Sequence, residues 1–174
     1  MRKTTIVLAG LLAGLAATPV AANNMKLHGA LVAEPCTLAP GDESVLLEFG
    51  TVIDKYLYQN QRTLGKRFQL RLLDCDTSLG TSLQISFSGP ASQALPGLLA
   101  LEAGSQARGV AIGFETPQGV PLVLNEWSQN YPLSKDNNVI ALQAFIRAEP
   151  DAIANRKITL GEFTATATFS LRYE

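Results

Sequence analysis

Phe163-Thr164-Ala165-Thr166-Ala167-Thr168-Phe169-Ser170-Leu171-Arg172-Tyr173-Glu174 decides the fold. Its apolar residues fall on every odd position and its polar residues on every even one. Successive side chains of a β-strand point to opposite faces, so this stretch reads as a strand with one buried and one wet face. The sequence ends there. A final strand this well formed ordinarily has its edge covered by another strand, because an open apolar edge invites pairing with other chains. Two readings follow from the pattern: the cover comes from elsewhere, or the strand is already covered within a complete domain.

Working backwards, the same period of two recurs. Phe68, Leu70 and Leu72 alternate with Gln69 and Arg71, Leu83, Ile85 and Phe87 with Gln84 and Ser86, and Val110, Ile112 and Phe114 continue the pattern. Further strands are expected near Val45–Phe49, Pro121–Leu124 and Val139–Arg147. Gly89-Pro90, Leu95-Pro96-Gly97, Pro117-Gln118-Gly119 and Asp136-Asn137-Asn138 punctuate them as turns. The Ala, Leu and Glu of segments 98–107 and 148–157 disfavour strand and suit a short helix or a loop. The sum is all-β, a sandwich of immunoglobulin-like size and strand count.

At the other end, Arg2 and Lys3 precede an uncharged apolar run to about Ala17, then Thr18-Pro19-Val20-Ala21-Ala22. This is the pattern of a secretory signal peptide over residues 1–22, cut after Ala22. The run falls short of the roughly 20 apolar residues of a membrane-spanning helix, so stable membrane insertion is not expected. Removing 22 of the 174 residues leaves 152, which suits one domain. The leader carries two of the 14 basic residues, leaving 12 against 15 acidic ones and a formal charge of −3. Phosphate backbones call for a basic footprint, so nucleic acid is not an expected partner.

Cys36 and Cys75 are the two cysteines. In an exported chain they read as one disulfide, which by chain entropy contributes roughly 4 kcal/mol. A metal or redox pair is the rival, disfavoured because there is no C-x-x-C and His28 is the sole histidine. In Asn23-Asn24-Met25-Lys26-Leu27-His28-Gly29-Ala30-Leu31-Val32-Ala33-Glu34-Pro35-Cys36, the residues Leu27, Gly29, Leu31 and Ala33 share one face of an extended strand. By itself this is an ordinary first strand, with Gly29 marking a bulge or a close backbone approach.

Several features together make the chain resemble the pilin subunits of the chaperone–usher pathway, most nearly the minor tip and adaptor subunits of P-pilus-like fimbriae. They are Gly29 seven residues before Cys36, Glu34-Pro35-Cys36-Thr37-Leu38, Phe68–Cys75, Leu83–Gly89, Ala94-Leu95-Pro96-Gly97 and Gly109–Phe114. Gly161, fourteenth from the C-terminus, and the penultimate Tyr173 complete the set. The resemblance spans essentially all of the mature chain.

It implies an incomplete immunoglobulin-like sandwich lacking its C-terminal, seventh strand and completed in trans by donor-strand complementation. A periplasmic chaperone first lends a strand, and at the outer-membrane usher the N-terminal extension of a neighbouring subunit replaces it. Residues 23–35 would then be the donor extension and 36–174 the pilin domain. Leu27, Gly29, Leu31 and Ala33 would insert into a neighbour, Gly29 where any side chain would clash. Gly161, Phe163, Ala165, Ala167, Phe169, Leu171 and Tyr173 would line the acceptor groove, and the chaperone's basic residues would grip Glu174. The implied role is a structural subunit of an extracellular fimbrium exported through the periplasm and contributing to cell adhesion. The segment before Leu27, only Asn23–Lys26, is shorter than in rod-forming pilins and favours an adaptor or minor subunit.

Two other readings remain open, a subunit that terminates the fibre and a receptor- or carbohydrate-binding adhesin. Trp127, Tyr131 and Asn125 lie in one turn-rich stretch and are residue types that grip sugars, although a lone tryptophan is more often packed in the core or at a subunit contact. No enzyme is expected. Nucleophilic triads, histidine-rich metal sets and phosphate-binding glycine loops are absent from the sequence, and Asp74 and Asp76 beside Cys75 read as solvated charge. No cofactor is expected.

Overall fold

The computed structural model describes Leu31 and residues 33–174. Leu27 and Gly29 of the expected donor set, and the leader, lie outside the described residues. Two antiparallel sheets carry the domain. One has five strands in the order β1-β2-β7-β4-β5: β1 (Thr37–Leu38), β2 (Lys66–Cys75), β7 (Asp136–Ala148), β4 (Val110–Glu115) and β5 (Pro121–Leu122). The other has three in the order β6-β3-β8: β6 (Tyr131–Pro132), β3 (Ser82–Ser88) and β8 (Thr168–Tyr173).

The period of two places the core. Leu70 and Leu72 of β2, Leu83, Ile85 and Phe87 of β3, and Ile140, Leu142 and Ile146 of β7 are all buried. Phe87 stacks on Phe114 at 4.3 Å between centroids and meets Phe68 edge-on, joining the two sheets. The β4 strand is buried on both faces at Val110, Ala111 and Ile112, as befits an interior strand. Cys36 and Cys75 are joined in the expected disulfide.

Outside the ladders, four stretches stand out. Val45–Phe49 forms no ladder, although Leu47 and Phe49 pack partly against the core. Segment 98–107 holds no helix, while 148–157 holds the short α2 (Pro150–Ala154). A helix not signalled by periodicity, α1 (Asp54–Asn60), buries Leu57 and ends where Gln61, at φ 65°, donates its N–H to the Leu57 carbonyl at 2.8 Å.

An ion pair 53 residues apart in sequence fastens this region to the sheet. Both Glu115 oxygens accept from Arg62, at 2.6 and 2.9 Å, and Gln143 Nε2 adds a third bond at 2.8 Å. Glu115 is 3% exposed. The Arg62 bonds, opposed by burial, hold its carboxyl below the ordinary 4.5. A depressed folded-state value contributes stability above the unfolded one, and this is lost as pH falls through the folded value. Arg62→Ala strands a buried carboxylate, but the Arg62 side chain is itself 38% exposed and solvent screens the pair. The expected loss at pH 7 is about 1–3 kcal/mol, at or below the low end for breaking a buried pair. Urea unfolding of the variant should also lose less stability than wild type between pH 5 and pH 3.

Candidate functional site: an open sheet edge

In the three-stranded sheet β3 lies between β6 and β8, so β8 has one paired edge and one edge that no described strand covers. The register fixes which backbone groups face outward. Ser82 and Glu174 exchange both bonds, Glu174 N–H to Ser82 O at 2.9 Å and Ser82 N–H to Glu174 O at 3.1 Å. In an antiparallel ladder such pairs recur every second residue, so Arg172, Ser170 and Thr168 bond to Gln84, Ser86 and Ser88. The N–H and C=O groups of Phe169, Leu171 and Tyr173 therefore point away from β3.

The same parity continues upstream. Past Ser88 the β3 chain turns off at Gly89-Pro90, and segment 101–107 takes over the paired edge. Glu102 N–H bonds to Thr164 O at 2.8 Å, while the N–H groups of Gln106 and Ala107 bond to Glu162 O at 2.8 and 3.1 Å. The hydroxyls of Thr164 and Thr166 donate to the Glu102 carboxylate at 3.0 and 2.6 Å and hold its pKa below the ordinary value. Even-numbered residues are thus tied on one side, and Phe163, Ala165 and Ala167 present their backbone to the open side. The regular ladder is shorter than the sequence pattern, but the alternation of facing runs its full length.

Burial gives the second sign of an unfinished structure. Leu83, Ile85 and Phe87 of β3 are 0, 1 and 5% exposed. Their partners Tyr173, Leu171 and Phe169, on the same inward face, are only half-buried, as are Phe163, Ala165 and Ala167. Among the described residues no further strand completes the core layer beside them.

The facing rim is the chain from Ser44 to Val52. Leu47, Phe49 and Val52 lean on the core, and the Phe49 ring lies 6.2 Å from that of Phe163. No backbone–backbone hydrogen bond reaches residues 43–52 within the described residues, and the Glu48 carbonyl accepts only from Lys66 Nζ. Leu46, 85% exposed, marks apolar surface left in water. At the Phe163 end the groove deepens into a cavity of about 220 Å³ walled by Val52, Leu57, Val110, Ile146, Ile158 and Phe163. Gly161 belongs to this wall. Its φ of +145° suits glycine, and a Cβ there would collide with the Gln106 side chain.

Two of the other edges are poor templates for pairing. The outermost strands on the far side, β5 and β6, are two residues long and carry Pro121 and Pro132, which cannot donate a ladder bond. The open side carries no such block along 163–173. Ala33 leads into Pro35, which lies near the C-terminal end of that edge. The Pro35 carbonyl accepts from Asp76 N–H at 2.7 Å, a Cβ at Gly80 would contact both Pro35 and the Glu174 carbonyl, and Ala33 is exposed. Leu31 is fully exposed.

Of the two aspartates flanking the disulfide, Asp74 sits at a β-bulge with φ 52°, and Asp76 accepts from the N–H and hydroxyl of Ser78 in a turn. Asn125 is occupied as well, its amide exchanging two bonds with the Gly89 backbone at 3.1 and 3.2 Å. Among the described residues no helix is long and apolar enough to cross a membrane.

The immunoglobulin-like sandwich ends in a half-buried strand with a free edge, and the sequence pattern of the family described as "Fimbrial protein" matches residues 25–174. The chain belongs to the fimbrial protein family. This fimbrial subunit is 30% identical over 171 residues to the uncharacterized fimbrial-like protein YfcP of Escherichia coli K12, covering 97% of this chain and 93% of that one. It is 27% identical over 169 residues to the fimbrial adapter PapK of Escherichia coli, covering 94% of each. Its fold superimposes on the P pilus rod subunit PapA with a TM-score of 0.69 at 20% identity, over 81% of this chain and all of that one.

Proposed function

We propose that the chain is a minor, adaptor-type subunit of a chaperone–usher pilus that accepts a strand from one neighbour and donates its own to another. The observation that carries this reading is the parity of the last strand: every odd residue from Phe163 to Tyr173 combines a half-buried inward side chain with backbone groups that face the open edge. Strand addition to an open edge uses those backbone groups for affinity and alternate side chains for specificity. Pilin complementation is a known instance of the mode.

Lengths agree. The edge from Phe163 to Tyr173 spans roughly 33 Å at about 3.3 Å per residue, and an extended segment 23–35 reaches roughly 40 Å. In this reading residues 1–22 are the export signal, 23–35 the donor extension and 36–174 the acceptor domain. A periplasmic chaperone fills the groove first and holds Glu174, and the usher then exchanges that strand for a neighbour's extension at the cell surface. The open cavity at the Phe163 end favours a subunit that accepts a follower over one that terminates the fibre. Similarity to PapK supports an adaptor place, alongside the short Asn23–Lys26 lead.

The test is substitution at the donor glycine. Gly29→Leu is expected to leave folding, export and chaperone co-purification at wild-type levels while incorporation into surface fibres, read by immunoblot of sheared pili, falls at least roughly tenfold. Overpacking one site by about 1.4–3 kcal/mol corresponds to about tenfold or more. Normal incorporation of Gly29→Leu would remove the donor assignment.

A further inference from the structure

The single tryptophan takes no part in the groove. Trp127 is 43% exposed, although an indole is usually well buried. The segment around it is not loose. Asn125 N–H bonds to Phe87 O at 2.7 Å, Ser128 N–H to Ile85 O at 2.9 Å, and Ile85 N–H to Ser128 Oγ at 2.9 Å, with Trp127 bridging to Ser86. The indole is therefore held in water by a fixed backbone.

It stands in a cleft of about 400 Å³ beside the short edge strands β5 and β6, lined also by Thr116, Gln118, Gln129, Asn130 and Tyr131. Gln118 and Gln129 expose planar amides, and Asn130 spends its Nδ2 on Glu174 at 3.0 Å, leaving its carbonyl. From this we infer that the cleft is a binding site for a neutral saccharide, whose C–H face stacks on Trp127 and whose hydroxyls bond to the amide and hydroxyl rim.

The alternatives fit less well. A peptide strand would need ladder partners, and Pro121 and Pro132 break both flanking edges. An acidic sugar would meet Glu126 in the cleft wall. The neighbouring cation, Arg172, is engaged: its guanidinium lies over one face of the indole, 4.5 Å from the centroid, and bonds to Gln84, so the sugar stacks on the opposite face. Asn125, grouped with Trp127 by sequence proximity, is outside the cleft because its amide is consumed by Gly89.

The test applies the full exported chain, purified with whatever partner it carries, to an array of neutral, sialylated and sulfated oligosaccharides. Saturable binding to a neutral saccharide is expected, weakened about tenfold or more by Trp127→Ala and roughly three- to tenfold by Gln118→Ala with Gln129→Ala, one aromatic contact and one or two hydrogen bonds respectively. The rim variant changes only exposed side chains, so it decides the matter if Trp127→Ala fails to fold. Absence of saturable neutral-sugar binding, binding confined to acidic glycans, or equal binding by the rim variant would overturn the inference.

Discussion

Fusing the Asn23–Pro35 segment of a related subunit behind Glu174 is expected to raise the unfolding temperature of the mature chain by roughly 10–20 °C. Two leucines moving from water into the groove contribute about 1.5–3 kcal/mol each, and newly paired backbone groups add to this. For a domain of this size each kcal/mol is worth about 2–4 °C. The gain should require the groove. With Leu171→Asp the fused strand should add little, because a carboxylate then faces the donor side chains. Calorimetry of the four chains, wild type and Leu171→Asp with and without the fusion, reads the effect directly. Without the fusion or a chaperone, wild type is expected to aggregate on concentration, since the edge left bare is a template for pairing.

Replacing Cys36 and Cys75 by Ser is the second large effect. The bond closes a loop with a sequence separation of 39, and the chain-entropy argument gives about 4 kcal/mol for its loss. It also lies where three parts of the chain meet. Beside it Pro35 O takes the Asp76 N–H at 2.7 Å, and Glu174 O takes the N–H groups of Thr81 and Ser82 at 2.7 and 3.1 Å. Pro35 and the end of β8 are thus anchored on either side of the same turn. Urea unfolding should show the double variant and the reduced wild type falling by similar amounts, and donor-strand fusion restoring part of the loss.

How far this could be read from the sequence depends on where each element finds its partner. Phe163–Tyr173 was legible because its period of two is local and survives whatever pairs with it. The facing of Phe163–Ala167 was right although no regular ladder forms there, since segment 101–107 supplies the bonds. Val45–Phe49 carries strand residues but has no ladder. On the proposed reading its partner is a strand of another molecule, which no pattern within one chain reveals. The α1 helix escaped notice because Tyr56 and Tyr58 suit a strand and only Leu57 is buried. Arg62 and Glu115 could not be paired in advance, for charge complementarity across 53 residues leaves no periodic trace. Gly161 was singled out by position, while its reason, a φ that suits glycine and the Gln106 side chain pressed against it, is visible only in three dimensions.

Amide hydrogen exchange along the last strand weighs the borrowed-strand idea most sharply. In the chain alone, Thr168, Ser170 and Arg172 should be protected and Phe169, Leu171 and Tyr173 should exchange at near-solvent rates; adding a donor strand should slow the odd set selectively. Uniform protection of both sets before any strand is added would show that the sandwich is already whole, and the account would fail.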